Sequence, residues 1–220
     1  MLALGLWGWS ILVTVDLVSV PQGLLARPLV AATVAGMLAG DTTAGLLVGV
    51  VLELYALDVL PIGASRYPDY GAAAVTAAAA AALIPDAPTL AVAGLLGLPL
   101  AILGGWTLHV HRRRTAKSIH RRLERVAAGD ARAIWELQRN GLARDGLRGA
   151  LLGAVGLGAI QLAMLFPWSA FPRMGLVGAA TVAGGLAAAL GGALRSGGAG
   201  ARRRWLAVGL ATGLLLVLGR

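Results

Sequence analysis

Apolar runs too numerous for a soluble fold to bury dominate this chain. They lie at about residues 1–20, 29–60, 71–84, 89–110, 148–167, 174–194 and 204–219. A helix needs roughly 20 apolar residues to cross a hydrocarbon core of about 30 Å. The first, fourth, fifth and sixth runs reach that length directly. Only 13% of the 220 residues are charged and 58% are hydrophobic, before 32 glycines are counted. A soluble domain is nearer a quarter charged, so this chain has too little polar surface to cover a globule. The same arithmetic excludes disordered, fibrous and nucleic-acid-binding classes. What remains is an all-α, polytopic helical membrane protein, because a helix satisfies its own backbone in lipid.

Two runs do not fit a straight crossing. As one helix, residues 29–60 would be about 48 Å long at 1.5 Å per residue. They contain Gly40-Asp41-Thr42-Thr43, a stop followed by an N-cap, with Asp41 or Thr42 as the capping residue. The expectation is two helices, at about 29–40 and 42–60. Residues 71–84 are too short to cross. Part-length helices flanking a polar loop predict broken or re-entrant backbone, which survives at membrane depth only where protein buries it or water reaches it. The start MLALGLWGWSILVTVDLVSV has no cation before Arg27 and is interrupted by Asp16. It reads as a retained membrane segment, not a cleaved signal.

The net charge of +9 is concentrated. Residues 112–148 carry eleven Lys/Arg against Glu124, Asp130, Glu136 and Asp145. Basic loops stay cytoplasmic, and two further crossings return the chain to a second basic stretch at Arg195–Arg204. Inside the first stretch, Ile119, Leu123 and Val126 recur at helical spacing. Gly129-Asp130 reads as a stop and a new cap, with Ala131, Ile134, Trp135 and Gln138 opening another helix. The expectation is a cytoplasmic amphipathic helical insert, held to the membrane face by anionic lipid or docking a cytoplasmic partner. Gly36/Gly40, Gly45/Gly49 and Gly149/Gly153 have GxxxG spacing, which lets helices approach closely.

Ionisable residues inside the membrane carry the functional signal. Glu53 lies within GLLVGVVLELYALDVL, and Asp69 closes the loop Pro61–Tyr70. A carboxylate in lipid costs several kcal/mol unless paired or hydrated, so both are expected to face a polar cavity. The competing role for Glu53 is an ion pair with Arg66 or Arg27. Asp58 sits near a helix end, Asp16 is a further candidate, and Asp41 reads as a cap. No nucleotide-binding glycine pattern, Walker motif or Ser/His/Asp grouping is present. The three histidines, His109, His111 and His120, cluster at the basic stretch. With no cysteine, disulfides, thiolate metal sites and phosphocysteine are excluded. No cofactor, metal or nucleic acid is implied.

Residues 27–73 carry an ordered set of short motifs: Arg27-Pro28-Leu29-Val30, Gly36-Met37-Leu38-Ala39-Gly40-Asp41, Thr43-Ala44-Gly45, Leu52-Glu53-Leu54, Ile62-Gly63-Ala64 and Pro68-Asp69. In order and spacing the set resembles the IIC subunit of the mannose/fructose/sorbose family of the bacterial sugar phosphotransferase system. The resemblance implies a bacterial inner-membrane, multi-pass transport subunit without a phosphorylation site of its own. It would pair with a IID membrane subunit, in an oligomer of the IIC/IID complex. It would pass a hexose inward to a cytoplasmic IIB phosphocarrier charged by IIA. Glu53 and Asp69 match the family's acidic positions. Gly63, Ala64, Arg66 and Pro68 complete the implied sugar site. The chain then divides into membrane segments with this site at 1–110, the basic insert at 111–148 and membrane helices at 149–220. Two other readings stay open: a divergent, non-transporting scaffold or regulatory subunit, and a small permease for another solute.

Overall fold

The computed structural model describes residues 1–59 and 66–195, with positions 200, 204 and 208. Apart from positions 204 and 208, the expected span at 204–219 lies outside the described residues, as do the loop residues Gly63 and Ala64. Among those described, all regular structure is helical. In chain order the helices are α1 (Leu2–Val18), α2 (Pro28–Ala39), α3 (Thr42–Ala56), α4 (Tyr70–Leu83), α5 (Thr89–Val92), α6 (Leu98–His120), α7 (Leu123–Ala127), α8 (Ala131–Met164) and α9 (Met174–Arg195). Three helical stretches are long and apolar enough to cross a membrane: Thr89–His120, Ala131–Met164 and Met174–Gly192.

The run at 29–60 breaks where its sequence directs. Gly40 ends α2 in the left-handed region, at φ 96°, and Asp41 caps α3 by accepting from the Ala44 amide at 2.9 Å. The two helices form a tight hairpin. A Cβ on Gly36 would lie 2.6 Å from the Gly45 Cα, so only glycine admits this approach. Gly49 packs on the Leu29 backbone in the same way. Lipid offers no hydrophobic drive between helices, so such close backbone packing is a main source of association. At 12 residues, α2 is about 18 Å long, well short of a full crossing.

Helix α4 is the centre of the bundle. It packs against α1, α2, α3, α6 and α8, and every residue from Gly71 to Ala81 is buried. Its run of alanines explains how so many neighbours fit around one short helix: no side chain holds them apart. The apolar run at 89–110 forms one long helix with a π-helical turn at Ala93–Gly97. Pro99 lacks an N–H and its ring would clash with the Leu95 carbonyl in regular α geometry, so the backbone widens there.

The basic stretch differs from a separate insert of short helices. Helix α6 continues from the apolar run to His120, and α8 runs 34 residues from Ala131 to Met164. At about 51 Å, α8 exceeds the hydrocarbon core by some 20 Å. The basic residues therefore sit on protruding ends of membrane helices, with only α7 between them. The expected punctuation at Gly129-Asp130 is present. Gly129 has φ 74°, and Asp130 accepts from the Arg132 and Ala133 amides. The Arg125 side chain donates to Asp130 at 2.9 Å, and this bond, with the Ala133 amide, holds the Asp130 carboxyl below the usual carboxylate range.

The hairpin packing predicts a clear mutational contrast. Gly36→Leu forces side-chain atoms into the α3 backbone and should destabilise by about 1–3 kcal/mol or more. Gly158→Leu, at an exposed site where a Cβ meets nothing within 4 Å, should be close to neutral. Thermal unfolding in detergent separates the two; equal melting temperatures would refute the packing.

Candidate functional site

Polar and charged groups gather at one end of the bundle, where α1, α3 and the turn before α2 meet the start of α4 and the waists of α6 and α8. The order begins with Asp16 on α1, which is buried. Its two oxygens accept from the Gly23 and Ala26 amides and so fold the connection from α1 to α2 back under the bundle. Ala26 then packs against Gly71 at the start of α4. Arg27 follows directly and reaches across to α3.

There it meets Glu53. The Arg27 guanidinium pairs with Glu53 Oε1, and Oε2 accepts from the Leu29 amide at 3.2 Å. Of the two ion-pair partners weighed from sequence, Arg27 is therefore the one the fold supplies. Glu53 keeps 17% of its side-chain surface exposed and Arg27 keeps 48%, so the pair borders open space. Two residues on, the Tyr55 hydroxyl donates to the Thr181 carbonyl of α9 at 2.9 Å, and its ring stacks on Tyr70 at 6.2 Å.

Asp69 enters a different network. The extended segment 66–69 lies on α6 where Gly104 and Gly105 leave room for it. Pro68 packs against Gly105, and the Asp69 amide donates to the Ala101 carbonyl at 2.8 Å. Asp69 is 1% exposed. Its Oδ1 caps α4 by accepting from the Ala72 amide at 3.1 Å, and its Oδ2 accepts from Arg148 at 2.9 Å. Arg148 also donates to Asp145 at 3.2 Å and to the Thr14 carbonyl at 3.3 Å. Asp145 in turn accepts from Ser19 at 3.1 Å. One buried cation thus joins α1, α4, α6 and α8.

The structure therefore brings Glu53 and Asp69 to the same end of the bundle, but into separate networks. Arg66 is exposed at the head of the segment that delivers Asp69. Sequence reading did not single out Arg148 or Asp145, which entered only as part of the charge in the basic stretch. Their signal was positional: an acid and a base three residues apart, where polar sequence gives way to apolar. Among the described residues no group of three or more His, Asp or Glu is placed to hold a metal ion.

Residues 1–214 match the family described as the sorbose-specific IIC component of the phosphotransferase system. The chain belongs to this family. A stretch of 78 residues, 36% of this chain, is 36% identical to the sorbose-specific EIIC component of Klebsiella pneumoniae and spans 29% of that protein's length. A solved chain described as a membrane protein superposes with a TM-score of 0.70 over 99% of this IIC chain and 90% of its own, at 22% identity. It shows a shared fold. The resemblance carried by residues 27–73 is thereby extended to nearly the whole IIC sequence.

The two networks of this IIC chain should respond differently to substitution. Arg148→Met strands two buried carboxylates and should cost about 3–5 kcal/mol. Arg27→Gln breaks a half-exposed pair and should cost under about 1 kcal/mol. Unfolding midpoints measured side by side decide this, and a tolerated Arg148→Met would deny the network its structural role.

Proposed function

We propose that this chain is the membrane-embedded transport subunit of a sugar phosphotransferase complex in the bacterial inner membrane. It crosses the membrane several times and pairs with a IID-type subunit. It receives a hexose from outside and presents it inward to a IIB phosphocarrier that IIA has charged. The observation that carries this reading is a sorbose-type IIC sequence whose acids Glu53 and Asp69 lie at the same end of the bundle, Glu53 at the base of a glycine-packed hairpin. By the cation excess of the α6–α8 protrusion, that end is the cytoplasmic one.

Glu53 is the residue best placed to meet a sugar. Its carboxylate borders open space and could exchange the Leu29 amide or Arg27 for sugar hydroxyls. Asp69, sealed in its pair with Arg148, holds Pro68 and the segment 66–69 against α6. The IID partner is supported by the hairpin tip. Asp41, Thr42 and Thr43 are exposed there, some 18 Å from the polar base. Polar groups at that depth need a protein or water cover. The outer hairpin face, with Leu46, Leu47 and Val50, is likewise exposed.

One observation favours the scaffold reading. All four carboxylate oxygens of Glu53 and Asp69 are already engaged by the protein itself. A transport role requires at least the Glu53 contacts to open.

Two measurements test the proposal. Hydrogen bonds to charged groups contribute about 1.5–3 kcal/mol, so Glu53→Gln should weaken hexose binding roughly ten- to a hundredfold with little change in melting temperature. Asp86→Asn, exposed in the turn before α5, should bind normally. A folded Glu53→Gln protein that binds hexose like the parent removes Glu53 from the site and favours the scaffold. For orientation, a reporter fused at Gly129 should be active only as a cytoplasmic reporter, and periplasmic activity would reverse the assignment of the polar end.

A further inference from the structure

Where α6 and α8 pass beyond the membrane they diverge, and with α7 and the end of α1 they border a groove of about 1040 Å³. Apolar side chains stand open along it. Ile119 on α6, and Ile134, Trp135 and Leu142 on α8, line the groove and are exposed. Lipid does not account for them. Arg112, Arg113 and Arg114 follow the apolar run of α6, and Arg139 and Arg144 precede that of α8, so the groove lies among and beyond these charges. Several apolar side chains gathered around one groove in water mark an interaction site.

The charges on the groove have one sign. Arg112, Arg139 and Arg144 border it, and among the described residues no carboxylate does. These cations have neutral partners. Arg144 donates to the Ser118 hydroxyl at 3.0 Å, Arg112 donates to the Tyr67 hydroxyl, and Arg139 stacks 4.8 Å over Trp135. Nearby acids are committed elsewhere: Asp145 to Arg148, Asp130 to Arg125, and Glu136 to Arg122 and Arg132. Exposed Trp and Arg together are also the residue types that anchor protein interfaces.

Charge selects the occupant. A second copy of the protrusion is opposed by repulsion, because residues 112–148 carry eleven Lys/Arg against four acids. A small anion would use the arginines and leave the apolar walls bare. An amphipathic helix with an apolar stripe flanked by carboxylates answers both features. The α8 wall from Ile134 to Arg144 is about 15 Å long at 1.5 Å per residue, room for about three turns of such a helix. We propose that this groove docks an acidic amphipathic helix of a soluble cytoplasmic protein. Its apolar stripe lies on Ile119, Ile134 and Leu142, and its carboxylates pair with Arg139 and Arg144. The site is separate from the Glu53 and Asp69 networks and does not depend on the transport reading.

Two measurements on the full chain test this. In phosphatidylcholine nanodiscs, the protein is titrated with synthetic helical peptides of about three turns that share one leucine stripe and carry either glutamate or lysine beside it. Fluorescence anisotropy, read against empty nanodiscs, should show the glutamate peptide binding about tenfold tighter or more, the scale of two exposed ion pairs. Arg139→Gln with Arg144→Gln should remove that preference. Ile134→Gln should weaken binding, whereas Leu147→Gln, elsewhere on α8, should not. All four side chains are exposed, so melting temperatures should match the parent's. Equal binding of the two peptides, or an unchanged preference in the double variant, would overturn the site. A glutamate peptide with serines in place of the leucine stripe that binds as tightly would reduce the groove to a polyanion patch and overturn the helix. In the native host, Gln138→benzoylphenylalanine, on the groove wall, should photo-cross-link to an acidic segment of a soluble protein, located by mass spectrometry, and the double variant should lose that adduct. Adducts confined to lipid or to another copy of this chain, or no adduct at all, would overturn the proposal.

Discussion

A single buried arginine organises this protein. Arg148 sits where α8 turns from polar to apolar sequence, and almost none of it reaches solvent. A guanidinium in such a place is tolerated only when its charge and its donors are all answered. The answers come from four helices: Asp69 at the start of α4, Asp145 one turn back on α8, the Thr14 carbonyl of α1 and the Gly104 carbonyl of α6. The central alanine helix cannot be placed without Asp69, because that carboxylate is also its N-cap. Packing and electrostatics are therefore one constraint at this point.

Away from that network the bundle is held by closeness. Its core holds few large side chains; α4 offers alanines, and glycines on α2, α3, α6 and α8 let backbones touch. In a membrane this is where association energy is found, since apolar bulk gains nothing by leaving lipid. The arrangement also has a functional consequence. A short hairpin packed this tightly can end inside the membrane and still present its base, with Arg27 and Glu53, as a polar surface bordering open space. The less constrained pair is the one next to that space, and the sealed pair lies behind it.

Much of this was legible from residues alone. Gly40-Asp41 broke the long apolar run because glycine reaches the left-handed region and aspartate caps a helix, both local properties. Gly129-Asp130 worked by the same chemistry. The short run at 71–84 was recognisable as unable to cross. The basic stretch was less legible: its amphipathic spacing is real, but nothing local says whether a helix ends at the membrane surface or continues through it. Helices α6 and α8 continue, and the space between their protruding ends follows from that.

What the sequence by itself determined was the class, the breaks and the family, because these rest on local capping, on run length against bilayer thickness and on an ordered motif set. What only the tertiary structure decided was partnership. Glu53 had two candidate arginines, and the hairpin brought Arg27 to it. Asp69 and Arg148 are 79 residues apart, and no periodicity links them. Which charges neutralise one another in a membrane depends on which helices are neighbours, and that is settled by the small residues that let them meet.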